Sequence, residues 1–133
     1  MGDSPLQNKS ILIVDDDPDI ITALTTVFAE TGATVTTAQD GNEAVEKAER
    51  DHPDLVILDA MLPKRSGFLV LERLKRPTVG GTPPPRIIMI TGNQGKRHQQ
   101  WAESLGVDAY INKPFRMERL MQSAEALVGK AKG

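Results

Sequence analysis

The sequence contains no cysteine. Disulfide bonds, thiol catalysis and thiolate-ligated metal sites are therefore excluded. Long apolar runs are also missing, since no stretch approaches the roughly 20 residues that a membrane-spanning helix needs. Positions 1–9 are polar and unlike a secretory signal, and Leu6 stands where a myristoylation motif needs Ser or Thr. We therefore expect a cytoplasmic protein without membrane contact.

Excess charge of either sign is small. The chain has 16 Lys and Arg against 18 Asp and Glu, a net charge of −2. Bulk electrostatics thus give no attraction to nucleic acid, and we expect no direct contact with it. A length of 133 residues with 39% hydrophobic composition suits one globular domain. We predict a flexible lead at 1–9, the domain at 10–129 and a tail at 130–133, with Met1 and the tapering tail favouring a complete protein.

Short apolar runs alternate with helical patterns along the chain. Runs rich in β-branched residues predict strands at 11–14, 33–38, 55–58, 87–90 and 109–112. Apolar residues at helical spacing predict helices from Pro18 to Phe28, after Asp40, from Gly67, at 94–105 and at 117–128, with a loop at 77–85. This alternation predicts an α/β fold, a parallel sheet with helices on both faces.

Chemically capable side chains follow the predicted strands. They are Asp15, Asp16, Asp59, Thr91 and Lys113. In such sheets ligands bind at the carboxyl ends of the strands, so we expect these side chains to converge. Two carboxylates about 4 Å apart repel by about 4 kcal/mol at an effective dielectric constant of 20, so cations must lie among them. Lys113 supplies one charge, and a divalent ion with oxygen ligands, Mg²⁺ or alternatively Mn²⁺, supplies the rest.

This set suits phosphoryl transfer to a carboxylate, with Asp59 as the acceptor. Asp54 is the rival on the same strand. Five residues at a rise of ~3.3 Å place it about 16 Å away, at the other end of the sheet. We therefore interpret Asp54 as a strand-entry residue.

Four segments together resemble the receiver domains of two-component response regulators, in the family's order and spacing. They are ILIVDDDPDI, DLVILDAMLPKRSGF, IIMITG and DAYINKPF, and the resemblance extends over 9–128. It implies a flavodoxin-like, doubly wound sheet of order 2-1-3-4-5, as in stand-alone, chemotaxis-regulator-like domains.

The resemblance also implies roles for individual residues. Asp16 would bind Mg²⁺ directly, Asp15 would act through metal-bound water, and Asp59 would be phosphoacceptor and ligand. The backbone carbonyl of Met61 would complete the protein's metal ligands. Thr91 and Lys113 would contact phosphoryl oxygens, and Thr91 and Tyr110 would form the conformational switch. Gly92 stands where the family usually has alanine, and Met61 and Asn93 occupy positions that tune autodephosphorylation.

The function so implied is a signalling domain, not an enzyme with an external substrate, although it would promote its own phosphotransfer and autodephosphorylation. A histidine kinase or histidine phosphotransfer protein would donate the phosphoryl group, and an unnamed target would bind the 94–129 face. One alternative is a small Mg²⁺-dependent phosphohydrolase with an aspartyl-phosphate intermediate. The sequence speaks against it, because Met61 stands two positions after Asp59, where an acid or base would be needed. Another is an interaction module that is never phosphorylated.

Several residues allow a structural interpretation. Tyr110 fits half-buried packing as well as a switch. Trp101 shares a helical face with Leu105, which favours core packing, whereas exposure would indicate a partner-binding residue. We expect His52 and His98 at the surface. The dipeptide Lys113-Pro114 favours a fixed backbone, with a cis bond as one form.

Overall fold

A computed structural model describes residues 4–76, 82–92 and 95–129. Within them, five strands and five α-helices alternate as predicted. The elements are β1 Ser10–Val14, α1 Pro18–Ala29, β2 Thr34–Ala38, α2 Gly41–Asp51, β3 Leu55–Asp59, α3 Gly67–Lys75, β4 Arg86–Thr91, α4 Lys96–Ser104, β5 Ala109–Asn112 and α5 Met117–Ala124. A π-helical turn, Glu125–Gly129, follows α5.

All strand pairs are parallel, and the strand order is β2-β1-β3-β4-β5. This is the predicted order, with β3 at the centre of the sheet. Because β1, β3 and β4 are covered on both faces, they are almost continuously apolar. The carboxyl ends of β1, β3, β4 and β5 therefore lie along one edge of the sheet.

Alternate residues of each strand pack on opposite faces. In β1, Leu12 and Val14 belong to the cluster that includes residues of α2, α3 and α4. Ile11 and Ile13 belong to the cluster that includes residues of α1 and α5. This alternation follows from the period of two in a strand, and it produces two cores separated by the sheet.

Local hydrogen bonds fix the helix starts. The Asp40 carboxylate accepts from the Glu43 N–H at 2.8 Å at the start of α2, and this bond lowers the Asp40 pKa. At α1, Asp17 accepts from the Asp19 N–H at 2.9 Å, and Pro18 occupies the first helical position. α4 begins after Gly95, which has no side chain of its own to cap the helix.

Some boundaries differ from the predictions. The helix predicted at 94–105 is α-helical over Lys96–Ser104, and the one predicted at 117–128 changes to a π-helical turn after Ala124. Part of the predicted loop, 77–81, lies outside the described residues, as do positions 93 and 94. Leu6 is fully buried with the α1 and α5 cluster, an exception to the flexible lead expected at 1–9.

Trp101 corrects a further expectation. Its side chain is 47% exposed, so the prediction of core packing is wrong. One face of its ring stacks on the buried Phe68, with ring centroids 4.4 Å apart and planes within 2°. His98, expected at the surface, is half-buried beside the same ring. The short, polar α4 buries only Ala102 fully, and Trp101 therefore lies at the margin of the core.

Among the described ranges, no helix combines the length and apolar character needed to cross a membrane.

Candidate functional site

Three carboxylates meet where β1 and β3 end. Asp15 and Asp16 follow β1 directly, and Asp59 is the last residue of β3. The two strands pair in register up to Val14 and Leu58, so the next positions are neighbours. One carboxylate oxygen from each of Asp15, Asp16 and Asp59 lies within 4.8 Å of the other two. Asp15 and Asp59 are buried, whereas Asp16 is exposed and leaves one side of the cluster open to solvent.

Lys113 brings a positive charge into this cluster from the end of β5. Its Nζ lies 3.2 Å from Oδ2 of Asp15 and 3.8 Å from Oδ2 of Asp59. Its backbone N–H donates to the carbonyl oxygen of Thr91 at 2.8 Å, which ties the ends of β5 and β4 together. The Lys113-Pro114 bond is cis. The structure therefore brings together the acids and the lysine that the strand-end rule predicts.

The negative charge of the Asp59 carboxylate is only partly compensated by the positive charge of Lys113. Burial and the neighbouring Asp15 charge together raise the Asp59 pKa to about 6, against the opposing effect of Lys113. The Met61 N–H donates to Oδ1 of Asp59 at 3.3 Å. The Lys113 ammonium group thus pairs with two of the three clustered carboxylates, and among the described residues negative charge remains in excess.

Asp15 is held firmly. Its Oδ1 accepts from the Asp17 N–H at 2.9 Å, while Oδ2 accepts from Lys113. The backbone N–H of Asp15 donates to the Ala38 carbonyl at 3.1 Å. These contacts orient the carboxylate before any ligand arrives, which is the preorganisation that a binding site needs.

The cluster fits a divalent cation with a preference for oxygen. All three donors are carboxylates. Their mutual repulsion disfavours the ionised forms of the two buried acids, which a cation would relieve. One side of the cluster is open for water or phosphate oxygens. Mg²⁺ takes one or two carboxylates directly and keeps several waters, so this set suits it if one of the three acids acts through a bound water. Asp15, Asp16 and Asp59 are the side chains that would hold it.

The switch candidates lie on the neighbouring strands. Thr91 ends β4 and is fully buried, one residue beyond Ile90, the partner of Asp59 in the sheet. Tyr110 on β5 pairs with Met89, farther from the acidic cluster. Its hydroxyl is buried and has no hydrogen-bond partner among the residues that the structure describes, and burial raises its pKa. Tyr110 is therefore in an inward position, with its polar group unsatisfied.

Two exposed residues lie near the buried acceptor, Met61 after β3 and Gly92 after β4. The side chain of Met61 is 60% exposed. Gly92 is exposed, and a Cβ added to it would meet no atom within 4 Å. Thus, among the described residues, no atom would exclude the alanine that is usual in the family at this position. Asn93 lies outside the described residues.

Asp54 lies at the other end of β3, as expected. Its carboxylate accepts from the Ser10 N–H at 2.8 Å and joins the starts of β1 and β3.

Two glycines shape the loop that follows Asp59. A Cβ on Gly67 would overlap the carbonyl oxygen of Asp59 and lie 2.7 Å from Cα of Ala60, so the characteristic spacing from Asp59 to Gly67 has a steric basis. The sequence interpretation overlooked Gly41, which contacts the same loop. A glycine at the first position of a helix, where alanine would favour the helix, is the signal that could have identified it.

Residues 11–125 match the response regulator receiver domain, and the chain belongs to that family. Its fold and family are therefore those predicted. The chain is 36% identical, over 93% of its length, to the alkaline phosphatase synthesis transcriptional regulatory protein PhoP of Bacillus subtilis, and covers 50% of that protein. It is 32% identical, over 92% of its length, to the probable transcriptional regulatory protein TcrX of Mycobacterium tuberculosis, again covering 50%. The chain thus spans about half the length of the curated relatives it matches.

Solved receiver structures superpose closely. A CheY-like receiver domain from Methanospirillum hungatei gives a TM-score of 0.85 at 28% identity, with coverage of 96% of this chain and 100% of that one. The receiver domain of a sensor histidine kinase from Pseudomonas aeruginosa gives 0.80 at 26% identity, with coverage of 92% and 99%. That structure holds a magnesium ion coordinated in its active-site cleft.

Proposed function

We propose that this domain accepts a phosphoryl group on Asp59 in a Mg²⁺-dependent reaction and thereby changes a partner-binding surface. The observation that carries the proposal is the position of Asp59. It ends the central strand, is buried, and lies within 3.8 Å of the Lys113 ammonium group and beside two other carboxylates. A nucleophile, a cationic side chain and a set of metal ligands therefore share one small site.

The proposed reaction needs an ionised acceptor. At pH 7 the Asp59 carboxylate is mostly deprotonated, because its pKa of about 6 lies below that pH. A carboxylate oxygen attacks the phosphorus of a phosphohistidine, the P–N bond breaks, and its electron pair stays on the imidazole nitrogen. Lys113 pairs with a phosphoryl oxygen. Bound Mg²⁺ would neutralise charge on the transferring group.

Thr91 and Tyr110 are the proposed switch. Thr91 lies on the strand next to Asp59, where its hydroxyl would bond a phosphoryl oxygen. The unsatisfied, inward Tyr110 hydroxyl supports a side chain with two positions, because an outward rotation would return it to water. Phosphorylation would then bias a two-state equilibrium instead of creating a new structure.

The proposed donor is a histidine kinase or a histidine phosphotransfer protein. The proposed output surface is the 94–129 face, of which the structure describes 95–129. We propose a stand-alone receiver unit at 10–129 that contacts a protein target, with no nucleic-acid contact of its own, in keeping with the net charge of −2. The matched relatives are named as transcriptional regulators and are about twice as long, so a longer regulator is the competing arrangement.

The phosphohydrolase alternative receives no support from the site. Met61 stands two residues after Asp59, and its thioether can neither donate nor accept a proton in catalysis. Rapid multiple turnover of phosphomonoesters would be the sign of such an enzyme. The interaction-module alternative predicts no phosphorylation at all.

The test is labelling by a small acyl phosphate or a phosphohistidine donor. The wild-type protein should become phosphorylated with Mg²⁺ and remain unlabelled in EDTA, and Asp59→Asn should not be labelled. Asp54→Asn is the matched control, because the same change is made at the far end of the same strand, and it should be labelled like wild type. Labelling that survives Asp59→Asn would contradict the assignment.

A further inference from the structure

We propose that Gly41, the first residue of α2, is a positioning residue for the acidic site. It allows α2 to clamp loop 60–66, which links Asp59 to α3, in the arrangement that presents Asp59 and Met61 to a divalent cation. This inference rests on the proposed function, since it assigns a role in preparing the same site.

The contact between Gly41 and the loop is too close for any side chain. The Gly41 N–H donates to the Pro63 carbonyl at 3.2 Å. A Cβ at Gly41 would overlap the carbonyl oxygen of Arg65 and would lie 2.6 Å from its Cβ and 2.8 Å from its carbonyl carbon. Two of these three atoms are backbone atoms, which cannot rotate away as a flexible side chain can. A methyl group at Gly41 would therefore displace the loop.

The backbone conformation does not explain the glycine. Gly41 begins a regular helix, and its φ is not in the left-handed region where glycine is favoured. Within a helix alanine is favoured over glycine by about 0.5–1 kcal/mol, so helix formation gives no reason for a glycine at this first position. Gly41 is also buried, against the loop. Close approach of two backbone segments is the remaining reason for a glycine here.

The clamped loop is short and internally constrained. The Arg65 N–H donates to the Pro63 carbonyl at 2.7 Å, and Lys64 between them has a φ of 67°. At the far end of the loop, the Gly67 N–H donates to the Ala60 carbonyl at 2.9 Å. A displacement at 63–65 would therefore also move the start of the loop, because these hydrogen bonds leave the loop few alternative conformations.

The loop reaches the acceptor directly. The Met61 N–H donates to Oδ1 of Asp59 at 3.3 Å, so the loop orients the carboxylate that would bind both cation and phosphoryl group. Met61 is also the residue whose carbonyl is proposed as a metal ligand. Gly41 thus acts through the loop and touches no reacting atom, which makes it a positioning residue and not a catalytic one.

The main test compares Gly41→Ala with Gly129→Ala. A Cβ at Gly129 would lie 2.6 Å from Cβ of Pro5, so this control also introduces a steric clash. The clash lies beside the segment preceding β1, at the opposite end of the sheet from the acids. Mg²⁺ alone is titrated into each variant by calorimetry, and urea unfolding records the loss of stability separately.

Gly41→Ala should bind Mg²⁺ roughly tenfold more weakly, the low end of the effect of disturbing groups that orient metal ligands. Gly129→Ala should keep wild-type Mg²⁺ affinity, even if its urea unfolding midpoint falls as much as that of Gly41→Ala. Wild-type affinity in Gly41→Ala would overturn the proposal. So would equal weakening in both variants, because the effect would then reflect stability alone.

A second measurement uses the wild-type protein and does not depend on the variant folding. If the clamp favours cation binding, the cation must favour the clamp, since coupling is reciprocal. Exchange of the Gly41 amide hydrogen, followed by NMR, should therefore slow when Mg²⁺ is added, while that of Gly129 stays unchanged. A Gly41 amide whose exchange rate is the same with and without Mg²⁺ would contradict the clamp.

These readouts separate the positioning role from the proposed function. Both use Mg²⁺ without a phosphodonor. A protein that binds Mg²⁺ but is never labelled on Asp59 would refute the proposed function, while the titration would still decide the role of Gly41. Wild-type protein that binds no Mg²⁺ would overturn both.

Discussion

Asp59 holds a negative charge where its surroundings oppose it. Burial and the Asp15 charge outweigh the attraction of Lys113, and the result is a pKa of about 6 against an ordinary value of 3.8. Such a charge costs folding free energy until a cation compensates it. An acidic side chain at a position that disfavours its charge, next to a solvent-accessible edge of the sheet, indicates a binding function. At a purely structural site, an uncharged side chain would be more stable.

Replacing Asp59 by Asn should stabilise the metal-free protein at pH 7.5, by about 1–2 kcal/mol. The folded pKa of Asp59 lies above its unfolded value, so the folded state binds the proton more tightly between pH 3.8 and about 6. The stability from this group is complete below that window and is lost as the pH rises through it. The advantage of Asp59→Asn should therefore be small near the lower limit and complete above the upper one.

Urea unfolding in EDTA at several pH values measures this difference. Asp54→Asn is the control, since Asp54 is exposed at the opposite strand end and shows no comparable crowding. A metal-free Asp59→Asn protein less stable than wild type at pH 7.5 would contradict the charge imbalance.

Removing the ammonium group of Lys113 should have the opposite effect. Lys113→Met leaves the buried Asp15 and Asp59 carboxylates without their cationic neighbour, and the metal-free protein should lose about 1–3 kcal/mol at pH 7.5. The lower part of that range reflects the 27% exposure of the lysine side chain. Unfolding in EDTA measures the loss, and Lys96→Met, on the exposed first turn of α4, is the control. Equal stabilities of Lys113→Met and wild type would contradict the ion pair.

At the level of elements, strands were predicted more accurately than helix ends. Buried parallel strands consist of uninterrupted apolar residues, and 55–58 and 87–90 therefore stand out in the sequence. The amphipathic pattern of α4 is weak, since its nine residues, KRHQQWAES, bury only Ala102 fully. Its relation to α3 depends on a contact between residues far apart in the sequence, Phe68 and Trp101, which periodicity cannot reveal.

The stack of Trp101 on Phe68 should contribute to the attachment of α4. Trp101→Ala should lower the free energy of unfolding by about 1–2 kcal/mol, less than for a fully buried tryptophan because nearly half of the side chain is exposed. Leu69→Ala is the matched control, an exposed apolar side chain on α3, and should cost no more than about 0.5 kcal/mol. Urea unfolding of both variants measures the contrast. Equal losses would mean that the stacked ring adds nothing beyond a surface contact.

At the level of the whole molecule, the parallel topology is what made the site predictable. Once the strands were identified, Asp15, Asp59, Thr91 and Lys113 had to lie at one edge, because parallel strands end together. The order 2-1-3-4-5 came from the family resemblance, and the observed sheet has it. What the sequence did not reveal depends on contacts between distant segments: the burial of Leu6, the inward Tyr110 hydroxyl, and the clamp between Gly41 and Arg65.

The most direct measurement locates the phosphoryl group on the chain. Protein phosphorylated in the presence of Mg²⁺ is reduced with borohydride, which converts an aspartyl phosphate to homoserine, and is then mapped by tandem mass spectrometry. We predict homoserine at position 59 and unchanged aspartate at positions 15, 16 and 54. Homoserine at one of those positions, with position 59 intact, would contradict the central claim.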